Sequence, residues 1–257
     1  MAIATRYTTT LSPTITQQSL GDAIKAMAAS IGLSLYGDIT SGTTRLLVYE
    51  ITTDASKTFG KCYFRIRVES NLIIGQRLFS SYDLVGATGS NGGTELATSA
   101  FSTSSAISIN GFAGSELKLV CLSQGTTLFA PFGVILPSFR PSWWNLNSYP
   151  WGFLFSTASA NTLSSSLLSP YGNALYNTFL NNSNLSNINP ISGLPDLIKG
   201  MLILSQSNAG VGGATSGDIG FGSFNGQTRY SSLIPQDTTE QYCIINNVAG
   251  GLAIRTG

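Results

Sequence analysis

The chain of 257 residues contains no histidine. That removes the commonest general base and the commonest metal ligand, and with them the Ser-His-Asp and Cys-His arrangements of most hydrolases. Charge is scarce too: Lys, Arg, Asp and Glu together make 10% of the chain, against roughly a quarter in average soluble proteins. The 13 Lys and Arg nearly balance the 12 Asp and Glu. A chain without clustered cations has little to offer phosphates, which argues against nucleic acid as its main partner. The three cysteines, Cys62, Cys121 and Cys243, are far apart and lack Cys-x-x-Cys spacing, so they give no zinc site and no disulfide framework. Buried free thiols are expected, with one pair closing in an oxidising setting as the alternative. No apolar run approaches the roughly 18 residues that span a bilayer, and MAIATRYTTT lacks the apolar core of a signal peptide. The expectation is a chain neither secreted by that route nor inserted in a membrane. No repeat with a period of roughly 20 to 50 residues is visible, which excludes a solenoid.

What fills the sequence instead is Ser, Thr, Asn and Gly around short apolar runs. Neutral hydroxyls and amides cost less to desolvate than ions, so such a surface suits close contact with protein subunits or with sugars. Two runs, Arg45 to Ile51 and Lys61 to Glu69, alternate with a period of two. In the second, Cys62, Phe64, Ile66 and Val68 share one face while Tyr63, Arg65, Arg67 and Glu69 share the other, which predicts a half-buried antiparallel hairpin. Its second face is expected to meet water or a partner. Ser19 to Gly32 predicts the one helix: Leu20, Ile24, Met27, Ala28 and Ile31 lie on one side, Ser19 is placed to cap with Asp22, and Gly32 ends it.

Further strands are expected at Leu33 to Tyr36 before a Gly37-Asp38 turn, across Asn71 to Leu84 with a bulge at Gly75, at Ile107 to Asn110, and at Leu117 to Leu122. Leu197 to Ser205 reads as one buried strand and Gln241 to Thr256 as a closing pair. Gly86 to Gly93 and Gly210 to Gly226 read as glycine-rich loops. The fold class is therefore mainly β (α+β): antiparallel sheets, one short N-terminal amphipathic helix and two β-rich halves. Residues 1–123 form the N-terminal helix and sheet unit, 124–160 a Pro/Trp-rich connector that proline keeps out of central strands, and 161–257 the C-terminal β-rich unit.

Chemical motifs are thin. Gly220 to Asn225 falls one glycine short of a dinucleotide fingerprint, and Ser115-x-x-Lys118 sits in a predicted strand without the motifs that accompany it in enzymes. Asp218 or Asp237 could be proposed as glycan-cleaving carboxylates, but such a pair is defined by a separation that sequence does not supply. The expectation is no enzyme, no cofactor and no metal. The connector holds Trp143, Trp144, Tyr149 and Trp151 among Pro137, Pro141 and Pro150. These aromatics read either as a platform for a protein partner or a host-surface glycan, or as a rigid plug between halves or subunits.

Taken in order, the capped helix ending in Gly, then LYGDITSGTTRLLVYEI, KCYFRIRVES and LIIGQRLFSSYDLVGATGSNGG, resembles the N-terminal part of virion structural proteins of tailed bacteriophages, those of the tail tip, baseplate and fibres. The closing YCIINNVAGGLAIRT resembles how many such chains end. The resemblance covers roughly the first half as a pattern of strands and turns. It implies an architectural role in the virion: a subunit repeated by symmetry, contacting copies of itself and other virion proteins, with no catalytic residue carried over. A receptor- or glycan-binding module using the stretch 143–151 is the alternative.

Overall fold

The alternation from Lys61 to Glu69 sets the frame, and its neighbours build outward from it. A computed structural model of the chain describes residues 3–52, 61–90, 92, 95–125, 128–135, 153–155, 163–165, 176–178, 197–200, 202–205, 211–214, 216–235, 238–247 and 251–257. The first part runs β1 (Thr5–Leu11), α1 (Gln17–Ser30), β2 (Ser34–Ser41), β3 (Thr44–Thr52), β4 (Lys61–Glu69) and β5 (Ile74–Phe79). There follow β6 (Ser81–Asp83), β7 (Thr88–Ser90), β8 (Leu96–Ala97), β9 (Ile107–Ala113), β10 (Leu117–Gln124) and β11 (Leu128–Ile135). The remainder is β12 (Phe153–Phe155), β13 (Leu163–Ser165), β14 (Tyr176–Thr178), β15 (Leu197–Lys199), β16 (Leu202–Ser205) and β17 (Val211–Ala214). It closes with β18 (Ile219–Gly222), β19 (Ser232–Leu233), β20 (Tyr242–Ile244) and β21 (Gly251–Arg255). The fold is mainly β with antiparallel sheets and, among the described residues, a single helix, as expected.

Two sheets and the helix share the main core. One sheet has the order β2-β3-β4-β5-β8, the other β1-β9-β10-β11-β12-β13. Tyr49 pairs with Phe64 and Leu47 with Ile66. Their side chains join Leu20, Ile24 and Met27 of α1, Ile109 of β9 and Val120 of β10 in one buried cluster. Each such side chain contributes roughly 1.5–3 kcal/mol by leaving water. The helix can lie close to β9 because position 111 is glycine: a Cβ there would collide with Met27 Sδ and Ile31 Cγ2. Gln76 of β5, fully buried, ties the sheets together. Its amide nitrogen donates to the Pro131 carbonyl and its amide oxygen accepts from the Gly133 N–H, both at 3.2 Å.

The helix start differs from expectation. Thr16, in extended backbone, is the N-cap: its hydroxyl accepts from Ser19 N–H at 3.1 Å, and the Ser19 hydroxyl returns to Thr16 N–H at 2.9 Å, a reciprocal box. The end is a Schellman turn, with Gly32 at φ 76° and the Leu33 N–H on the Ala28 carbonyl at 2.9 Å. Beside the helix, Arg45 is buried and donates to Asp22 (2.7 Å), to both oxygens of Asp38 (2.8 and 2.9 Å) and to the Gln18 carbonyl (3.0 Å). Lys25 reaches Asp38 at 2.7 Å. This engagement of Asp38 explains why Gly37-Asp38 is no turn. β2 passes through it with a register shift after Leu35, and the reversal falls at Gly42, φ 61°.

Other expectations change for equally local reasons. Gly75 sits in regular register opposite Arg67, without a bulge. The stretch from Gly86 contains β7, paired to β6. Gly200, at φ 76°, splits Leu197 to Ser205 into β15 and β16, which go to different sheets, and Ile198 is exposed. The glycine-rich stretch from Gly210 forms β17 and β18, where Gly220 makes room for Leu197 to lie flat on the sheet. The boundary expected at Ser123 falls inside the β10–β11 hairpin, and the sheet continues through it to β13. Pro131 is accommodated within β11: among the described residues β12 pairs only with Val134 and Ile135, so no ladder bond is lost there where the proline N–H is missing.

The outer face of the six-stranded sheet carries Phe112, Leu119 and Cys121, all buried. A five-stranded sheet, order β15-β18-β21-β20-β19, lies against it. Arg6 donates to the Tyr230 carbonyl at 3.1 Å, Tyr230 stacks on Phe112 with centroids 6.5 Å apart, and Ala4 N–H bonds the Arg255 carbonyl at 3.1 Å.

Candidate functional site

Trp143, Trp144, Tyr149 and Trp151 lie outside the described residues, as does Asp237. Asp218 is described. It immediately precedes β18, and its Oδ1 stands 3.6 Å from Arg255 Nη1, buried and without a hydrogen bond among the described residues. Arg255 also pairs with Glu240 at 3.0 Å, and Glu240 holds Lys199. Asp218 lines a small pocket with Glu116, whose Oε2 accepts from the Ser216 N–H at 2.8 Å. The pocket has about 10 Å³ of space, room for about one water and far short of a sugar ring. Sequence gave no sign that Glu116 stands beside Asp218, because the two come from different sheets.

The second face of the β3–β4 hairpin is occupied from within the chain. Phe79, Tyr82 and Val48 form a small cluster with Tyr63 and Leu84 packed on it. The guanidinium carbons of Arg65 and Arg77 each lie 5.1 Å from the Phe79 ring centre, a favourable use of the ring's negative face. Glu95 takes Arg65 and, at 2.7 Å, Arg67, which also holds Glu69. Arg77 donates to the Gly92 carbonyl at 3.1 Å. These arginines therefore bind their own covering segment.

The edges differ from these faces. β1 pairs with β9 over seven residues with no register shift, and its other edge carries no strand among the described residues. Side chains from Thr5 to Thr10 are exposed on both faces. Four of those six are threonine, and the one charge, Arg6, turns inward to Asn110 at 2.9 Å. Natural proteins blunt strand edges with charge, proline or a bulge; β1 has no proline and no register shift, and its single charge is engaged by Asn110. β2, the edge of the other sheet, carries a register shift beside exposed Leu35 and Tyr36. Sequence reading missed β1, since its threonines give no apolar alternation; their β-branching was the available signal.

Compared with known protein families and with curated proteins, the chain matches none. Among the described residues, no helix is long and apolar enough to cross a membrane, and no group of three or more His, Cys, Asp or Glu side chains is gathered to hold a metal ion.

Proposed function

We propose that the chain is a structural subunit of a tailed-bacteriophage particle, in its tail, baseplate or fibre region. It acts by symmetric assembly with copies of itself and with other virion proteins, and performs no catalysis. The observation that carries this reading is the edge of β1, open among the described residues: a regular strand whose one charge, Arg6, is bonded to Asn110 offers its backbone N–H and C=O groups to a neighbouring strand. A closed symmetric assembly satisfies such an edge without leading to open-ended aggregation. The scarcity of charge supports the same reading, because little has to be desolvated when subunits meet.

Light scattering over a concentration series, with the chain alone and with candidate sister proteins, tests it. The expected result is a mass that rises with concentration or on adding a partner. The variant Thr8→Lys/Thr10→Lys should remain monomeric while its melting temperature stays close to that of the parent, since exposed substitutions alter stability by about 0.5 kcal/mol or less. A strict monomer that ignores every particle component would sink the proposal.

A further inference from the structure

We propose that Cys121 and Cys243 are a disulfide-forming pair, a modification site that staples the C-terminal five-stranded sheet to the outer face of the six-stranded sheet. Strand parity places them on facing surfaces. On β10, Val120 and Leu122 point into the core shared with the helix, so Cys121 points the other way. On β20, Tyr242 and Ile244 belong to the cluster on the far side of their sheet, so Cys243 points towards β10. Arg6 locates both thiols. Its Nη1 lies 3.9 Å from Cys243 Sγ, while Nε and Nη2 bond Asn110 Oδ1 at 3.2 and 2.9 Å. Asn110 is the register partner of Cys121, and register partners in an antiparallel pair hold their Cβ atoms about 4.5–5.5 Å apart. One guanidinium thus joins Cys243 on one sheet to the register partner of Cys121 on the other. A bond between facing sheets is the arrangement that immunoglobulin sandwiches use.

Cys62 does not compete, because it lies on β4 in the core on the other side of the six-stranded sheet. Burial raises the pKa of both thiols of the pair, and charge on Cys243 raises that of Cys121 further. Arg6 acts the opposite way and favours the thiolate at Cys243. Cys243, 4% exposed against 0% for Cys121, is the one to react first.

The oxidant is a small-molecule disulfide such as oxidised glutathione. The Cys243 thiolate attacks one sulfur of the reagent, breaking its S–S bond and releasing one small thiol. The Cys121 thiolate then attacks the protein sulfur of the mixed disulfide and releases the second. Two protein thiols are oxidised, one reagent disulfide is reduced, and both thiol protons leave on the released thiols.

The test incubates the full chain with oxidised glutathione, blocks free thiols by alkylation and maps the digested peptides by mass spectrometry under non-reducing conditions. The expected product is one intramolecular link between the peptides holding Cys121 and Cys243, formed equally in Cys62→Ser. It should raise the melting temperature, and dithiothreitol should reverse that rise. Cys121→Ser should instead keep a glutathione adduct on Cys243. If the variant fails to fold, the peptide map of the parent chain decides alone. Only glutathione adducts, a link that includes Cys62, or no link even after refolding from urea in a glutathione redox buffer would overturn the assignment.

Discussion

Removing the Arg45 guanidinium would leave Asp22 and Asp38 with only Lys25 to offset them, and would take one donor from the Gln18 carbonyl of α1. Breaking a buried pair on one side usually costs about 3–5 kcal/mol. Because Lys25 remains, Arg45→Met is expected to lose somewhat less, about 2–3 kcal/mol, read as a shift in the urea midpoint. The same cluster sets an acid limit. The Arg45 hydrogen bond, helped by Lys25, holds the Asp38 carboxyl at about 2 instead of 3.8. A depressed carboxyl pKa stabilises the fold above the ordinary value, and that contribution is lost as pH falls from about 4 towards 2. The melting temperature should therefore drop through that window, and in Asp38→Asn the drop should be shallower. Gly111 makes a different demand. Gly111→Val would push the α1 helix off β9 through Met27 and Ile31, at a cost of about 1–3 kcal/mol, read in equilibrium unfolding.

At the scale of elements, Gln76 takes the place of a strand. Among the described residues, the outward groups of Pro131 and Gly133 in β11 have no strand partner, since β12 pairs with Val134 and Ile135. Gln76→Leu keeps the volume but leaves a buried carbonyl and a buried N–H without their amide. Each costs about 1–3 kcal/mol, so a loss of at least about 2 kcal/mol is expected in equilibrium unfolding. A neutral result would mean that water replaces the amide there. The elements legible in the sequence were those whose side chains announce a period. β4 and its partner β3 alternate cleanly, and α1 shows its apolar stripe. Elsewhere the determinants were not local: β1 is held by β9, about a hundred residues on, and β18 is a strand because β21 and β15 flank it, although half of its residues are glycine. Gly200 looked like a gap in one apolar strand until its positive φ separated two. No spacing in the chain could show that Glu116 and Asp218 share a pocket, or that Arg6 of β1 reaches Cys243 of β20.

The whole molecule is a set of sheets tied by contacts distant in sequence, and such topologies fold slowly because the chain must close large loops before native pairs reward it. Cutting after Ser123 should therefore not release a folded N-terminal half. The cut removes β11, to which Gln76 is bonded, and the sheet that lies over Phe112, Leu119 and Cys121. The truncated chain should bind a hydrophobic dye and lose near-ultraviolet circular dichroism. A cooperative melt would instead establish residues 1–123 as an independent domain. The hydrogen bond from Ala4 to Arg255 has its own consequence. Because the start of β1 lies beside the end of β21, the connectivity is nearly a ring, and a ring has no privileged place to be cut. A circular permutant that joins Gly257 to Ile3 through a short linker and opens at the exposed Gly42 turn should fold to the same structure. Its circular dichroism should overlay that of the parent, and its β2 and β3, now at opposite ends of the polypeptide, should still pair.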